Sequence, residues 1–197
     1  DVKILPSGDS AVLIQLGSVI SPQVNAAVHA LDAGIKSANI NGIVETVPAF
    51  ASLLVLYDPV VIGYEEISGT LRAICENPTS VSERKSFLYT IPVCYGDEFG
   101  EDLEDVAAHA GMSADEVVRC HSERTYLIYM LGFLPGFPYL GGLDPAIACP
   151  RLASPRQKIE AGSVGIGGEQ TGVYPLASPG GWRLIGRTPV KLYDPNR

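Results

Sequence analysis

Long apolar runs, paired cysteines and clustered histidines are all missing from these 197 residues. No stretch approaches about 18 uninterrupted apolar residues, so no membrane-spanning helix is expected. The first residues, Asp1-Val2-Lys3-Ile4-Leu5-Pro6, lack the basic and then apolar pattern of a secretory leader, which points to the cytoplasm. The four cysteines stand at 75, 94, 120 and 149, too widely spaced for a CxxC pair, and read as free thiols. His29, His109 and His121 form neither HxH nor HExxH, so no protein-built metal site is expected.

Charge is scarce and unevenly placed. The net formal charge is −8, but residues 1–118 hold 17 acids against 5 bases, while residues 119–197 hold 5 acids against 9 bases, 7 of them arginine. Arginine presents a planar fork that fits carboxylates and phosphates, so the second half is the better place for a small anion. Two solvated surfaces of unequal charge would give the same count.

The first ninety or so residues alternate between strand and helix patterns. Ala11–Leu16 is a short apolar run after a Ser7–Ser10 turn. Ser21-Pro22 pairs an N-cap with proline at the first helical position, and Val24, Ala27, Val28, Leu31 and Ile35 then recur on one helical face. Ile43–Val47 and Ser52–Tyr57 read as a hairpin, Tyr64–Glu76 as a second amphipathic helix, and Phe87–Tyr95 as a further strand. The resulting order, βαββαβ, is the ferredoxin-like arrangement, an α+β domain. Asp102–Asp105 and Ser113–Glu116 both look like capping boxes, with Gly111 closing the helix between them. From Thr125 onward glycine and proline become dense, and short β-rich pieces such as Thr125–Leu131 and Val190–Tyr193 stand between turns. That texture suggests a small closed β-barrel. The expected division is an α+β domain over 1–84 and a barrel over 85–197.

Ala108–Ser113 has the look of a helix-turn-helix turn, but the would-be recognition helix opens with Asp115-Glu116. Phosphate repulsion there excludes nucleic acid as a partner. Gly162–Gly168 is rich in glycine without matching a phosphate loop or a dinucleotide fingerprint, and no helix follows it. Its glycines serve tight turns and bulges, or allow close approach of a ligand or another chain. His121 offers either a base or a hydrogen-bonded structural histidine at a helix end. Gly132–Gly142 packs Phe133, Phe137 and Tyr139 among Pro135 and Pro138, and this rigid apolar loop is read as a contact for a partner in preference to core, while Trp182 is open to either reading. No metal cluster, nucleotide loop or triad can be assembled, so the chain is a binding module, or its site is finished by another protein.

Several of these stretches carry a resemblance. Ile91–Gly96, Tyr129–Leu143, Pro155-Arg156, Ala161–Pro175, Ser178–Trp182 and Ile185–Pro189 are similar to the family of 5-oxoprolinase B subunits, which is also described as the histidine-kinase inhibitor KipI and as allophanate hydrolase subunit 1. The resemblance spans nearly the whole chain and is most specific from residue 91. It implies a small α+β domain and a cyclophilin-like barrel. It implies partners, subunits A and C of 5-oxoprolinase, and the ATP-dependent opening of 5-oxoproline to glutamate. ATP is expected on one of those partners, because this chain offers no nucleotide loop. Kinase inhibition and a carboxyltransferase-like role in urea metabolism are the other activities the resemblance carries. Within the matching motifs, Arg156, Gln170, Thr171, Tyr174 and Arg187 are the expected substrate-binding residues and His121 the catalytic one. Phe133, Pro135, Phe137, Tyr139 and Trp182 are expected at the partner interface. Family members have proline where this chain has Glu160. They also continue past the position of Arg197 into a further strand, so the barrel is expected to be incompletely represented.

Overall fold

A computed structural model describes residues 2–77 and 86–196. The chain divides into two compact units, Asp1–Ser86 and Phe87–Arg197. It is a mixed α/β protein with four α-helices among the described residues, none long and apolar enough to cross a membrane.

The first unit runs β1 (Lys3–Pro6), β2 (Ala11–Gln15), α1 (Pro22–Ala38), β3 (Ile43–Pro48), β4 (Ser52–Tyr57) and α2 (Tyr64–Glu76). Its sheet has the order β1-β2-β4-β3, with every neighbour antiparallel. Strands β2 and β3 are therefore parallel to each other with β4 between them, the split βαβ expected from the sequence. Alternation sends Val12, Ile14, Leu53 and Val55 to one face, where they meet Val28 and Ile35 of α1 and Ile67 and Leu71 of α2. Helix α1 begins as its sequence dictates. Ser21 accepts the Val24 amide, Pro22 occupies the first turn, and Asn39 ends the helix in the left-handed region.

The expected βαββαβ order is corrected to ββαββα. The edge beside β2 is taken from the N-terminal side by β1, a hairpin closed at Gly8 with positive φ. Proline is tolerated in β1 because it lies on an edge strand. Of the expected strand Phe87–Tyr95, only Cys94–Tyr95 enters a ladder, and that ladder belongs to the second unit.

The second unit contains β5 (Cys94–Tyr95), a 3-10 turn at Asp97–Phe99, α3 (Leu103–Ala110), α4 (Ala114–Ser122), β6 (Leu127–Leu131), β7 (Pro138–Gly141), a 3-10 turn at Pro145–Ile147, β8 (Arg156–Ile159), β9 (Ser163–Gly167), β10 (Gln170–Val173), β11 (Ser178–Gly180) and β12 (Arg183–Arg187). Six strands form one antiparallel sheet in the order β5-β12-β9-β10-β7-β6, and β11 pairs with β8 in a separate ladder. The pairings leave β5 and β6 as the edges of the larger sheet. Val190–Tyr193, expected as a strand, enters no ladder.

Strand β9 is buried along its whole length. Its Val164 and Ile166 join α3, α4 and Ile185 in one core. On its other face lies a second core of Phe137, Ile159, Tyr174, Trp182 and Leu184. The Ser113–Glu116 capping box is present in full, with Ser113 accepting the Glu116 amide and Glu116 accepting the Ser113 amide. The Asp102 box is not: its side chain makes no capping bond to α3.

Candidate functional site

Asp102 turns its carboxylate across to β12 and β8 instead of capping its own helix. It is buried, and Oδ2 accepts the Leu184 amide at 2.6 Å while Oδ1 accepts Arg156 Nη2 at 2.8 Å. Arg183 Nη1 lies 3.9 Å from the same Oδ1 and donates to Asp105 at 2.8 Å. Arg156 also reaches Glu101 at 3.5 Å. One buried carboxylate thus ties the start of α3 to two β-elements through two arginines. The Asp102 bond, first among the causes, raises the Arg156 pKa above its ordinary value. Removing Arg156 would strand the buried Asp102 carboxylate, a loss of up to about 3–5 kcal/mol. Sequence reasoning missed Asp102 because an acid at a helix start reads as a cap, and its true partners are 54 and 82 residues away.

His121 closes α4 with both ring nitrogens engaged. Nδ1 lies 2.8 Å from the Tyr95 hydroxyl and Nε2 lies 2.8 Å from the Thr171 hydroxyl. Thr171 spends its own proton on the Gly165 carbonyl, at 3.0 Å. Its oxygen must therefore accept from Nε2–H, which leaves Nδ1 to accept from Tyr95. That assignment makes a neutral imidazole, and burial lowers its pKa to about 4. Burial likewise raises Tyr95 to about 12. The His121 carbonyl accepts the Tyr126 hydroxyl at 2.7 Å, which completes a satisfied buried network.

Thr171 is fully buried inside that network, so its hydroxyl does not face solvent. Tyr174, three residues on, faces the opposite side of β10, buried at 2% exposure, with its hydroxyl taking the Trp182 amide proton. Gln170 opens β10 half-buried, opposite Gly167. The five expected substrate residues are therefore not one pocket. Thr171 and Tyr174 lie on opposite faces of one strand, and Arg156 is spent on Asp102.

The aromatic residues separate in the same way. Phe137 is 2% exposed and Trp182 5% exposed; both sit in the second core, with ring centroids 5.5 Å apart. Tyr139 is half-buried and packs edge-on against Phe137 at 5.0 Å. Phe133 alone among these rings stands out, 60% exposed at positive φ, with half-exposed Leu127, Ile128 and Leu131 of β6 preceding it. The expectation that Phe137 and Trp182 face a partner is corrected: the second unit's own packing consumes them. Glycines make this possible. A side chain at Gly167 would meet the Trp182 ring at 2.6 Å, and one at Gly172 would meet Phe137 at 3.0 Å. Within the glycine-rich stretch, Gly167 is thus required by the chain's own Trp182 ring.

Arg187, at the end of β12, is half-buried with its guanidinium carbon 5.6 Å from the Phe99 ring centroid. Its Nε is buried without a hydrogen-bond partner among the described residues. Ser163, its partner across the β9–β12 ladder, is fully buried, and its hydroxyl is also unpartnered there. Among the described residues no group of three or more His, Cys, Asp and Glu side chains is placed to hold a metal ion.

Comparison with known proteins follows the same outline. The family described as carboxyltransferase domain, subdomain C and D, matches residues 2–197. A Bacillus subtilis protein named as the B subunit of 5-oxoprolinase is 47% identical over 199 residues, covering 95% of this chain and 82% of that one. The protein of the same name from Escherichia coli O157:H7 is 40% identical over 191 residues, covering 96% and 86%. The crystal structure of TTHA0988 superposes with a TM-score of 0.81 at 35% identity; the match takes in 95% of this chain but 36% of that longer one. This chain belongs to the carboxyltransferase subdomain C and D family, among the proteins named as 5-oxoprolinase B subunits.

Proposed function

We propose that this chain is the B subunit of an ATP-dependent 5-oxoprolinase, which opens 5-oxo-L-proline to L-glutamate in the cytoplasm together with subunits A and C. The observation that carries the reading is the near full-length similarity to two bacterial proteins of that name. Under it the first unit is a permuted form of the ferredoxin-like domain and the second is the cyclophilin-like domain.

The Gly162–Gly168 stretch offers no support for a phosphate loop. Gly162–Gly168 is largely strand β9, and the space beside Gly162 and Gly167 is filled by the Thr188 carbonyl and the Trp182 ring. We therefore assign ATP, which activates the stable ring amide at its carbonyl oxygen, to a partner. His121 supports a positioning role better than proton transfer, since both its nitrogens are occupied inside the second unit. This chain's share of the work is then to bind and orient an anionic substrate. The exposed Phe133, with Pro135 beside it, is our candidate for the contact with the C subunit.

The test is reconstitution. The purified chain alone should release no glutamate from 5-oxoproline and hydrolyse no ATP, whereas the mixture with subunits A and C should do both. Activity of the chain alone, or a three-subunit mixture that leaves 5-oxoproline intact, would sink the reading.

A further inference from the structure

Three arginines of the second unit are partly buried, and they are not equivalent. Arg156 and Arg183 each hold carboxylates at 2.8 Å, those of Asp102 and Asp105. Each of the three keeps one buried guanidinium nitrogen without a partner, Arg156 Nη1, Arg183 Nε and Arg187 Nε, but only the Arg187 side chain pairs with no carboxylate among the described residues. A buried guanidinium nitrogen with no acceptor costs free energy, and at Arg187 no carboxylate pairs with the rest of the group to offset it. The nearby Glu160 does not supply it. Its carboxylate is taken by Lys158 at 2.7 Å, and it is Lys158 first and Arg187 last that hold its pKa down. The Phe99 ring lies 5.6 Å from the guanidinium carbon, a cation–π contact that supplies no hydrogen-bond acceptor. Ser163, across the ladder on the same face of the sheet, adds a second polar group without a partner.

We infer that Arg187 is the residue of this chain that holds the carboxylate of a small substrate, and that Arg156 is a structural clamp outside the site. The inference rests on the proposed function for the identity of the substrate, 5-oxoproline, but not for the existence of the anion site. A carboxylate matches the fork with two parallel bonds, so a lysine at 187 keeps the charge and loses the geometry. Glu160 stands close enough to oppose an incoming anion, and its neutralisation should tighten binding.

The experiment measures equilibrium binding of 5-oxoproline by calorimetry, without ATP, to the complex assembled from this chain and subunits A and C. Glutamate release is followed separately. Arg187→Met should weaken binding by about ten- to a hundredfold, Arg187→Lys should recover part of that loss, and Glu160→Gln should bind more tightly than the wild type. Arg156→Met should lower the melting temperature and leave the dissociation constant of the folded complex unchanged. Wild-type binding by Arg187→Met, or loss of affinity in Arg156→Met alone, would overturn the inference. So would a rise in the KM for ATP with 5-oxoproline binding intact, because it makes the site one for phosphate. If Arg187→Met loses binding while a wild-type complex that binds releases no glutamate, the anion site stands and the proposed reaction falls.

Discussion

At the scale of single residues, His121 shows how a reactive group can be made inert by its surroundings. Its pKa is lowered from 6.5 to about 4, and burial is the cause. The unfolded chain therefore binds a proton between about pH 4 and 6.5 that the native chain refuses, and stability must rise with pH across that window. The contribution is present in full above about pH 6.5, is lost progressively as pH falls toward 4, and changes no further below. Its slope is at most about 1.4 kcal/mol per pH unit. In His121→Gln the titrating group is gone. The stability advantage of wild type over this variant should then shrink by about 1–2 kcal/mol between pH 7 and pH 5, measured by urea unfolding at each pH. An advantage independent of pH would mean that the ring is not held neutral. Asp102 makes the complementary point, as a carboxylate whose partners are a backbone amide and an arginine fork has little freedom left for chemistry.

At the scale of elements, the sequence revealed most where local chemistry decides. Ser21-Pro22, Gly111 and the Ser113–Glu116 box marked helix ends that the structure keeps, because caps are settled within four residues. Strand β1 escaped notice because four residues ending in proline carry almost no alternation, and only pairing with Val12–Gln15 makes them a strand. The site was less legible still. Motif residues such as Thr171 and Tyr174 look equivalent in sequence, yet the two-residue period of a strand sends positions an odd number apart to opposite faces. Glycines in regular elements separate by the same logic. Gly69 lies inside α2 with nothing within 4 Å of an added methyl group, so Gly69→Ala should stabilise the protein by about 0.5–1 kcal/mol. Gly167→Ala drives a methyl group into the Trp182 ring and should cost about 1–3 kcal/mol. Thermal unfolding of both variants gives the comparison. A neutral Gly167→Ala would mean that the ring has room to move.

At the scale of the whole molecule, the buried residues fall into clusters that each belong to one unit. Val12, Ile14, Leu53, Val55, Ile67 and Leu71 serve the first unit, while the two cores around β9 serve the second. Every described strand pairing likewise stays within one unit. A cavity cut in one core therefore removes contacts from that unit alone, and local opening should follow the same boundary. Leu71 is fully buried, so Leu71→Ala should cost the first unit about 2–5 kcal/mol. Hydrogen exchange on this variant should show faster exchange for the amides of β2 and β4, while those of β9 and β10 keep wild-type protection. The converse variant, Ile166→Ala, should expose β9 and β10 and spare β2 and β4, since Ile166 is fully buried in the second unit's core. Equal loss of protection in both units from either substitution would show that the chain unfolds as one cooperative body. In that event an effect of a first-unit substitution on substrate binding could arise through stability alone. If the units separate as expected, such an effect would place the first unit's own surface at the substrate or at a partner protein.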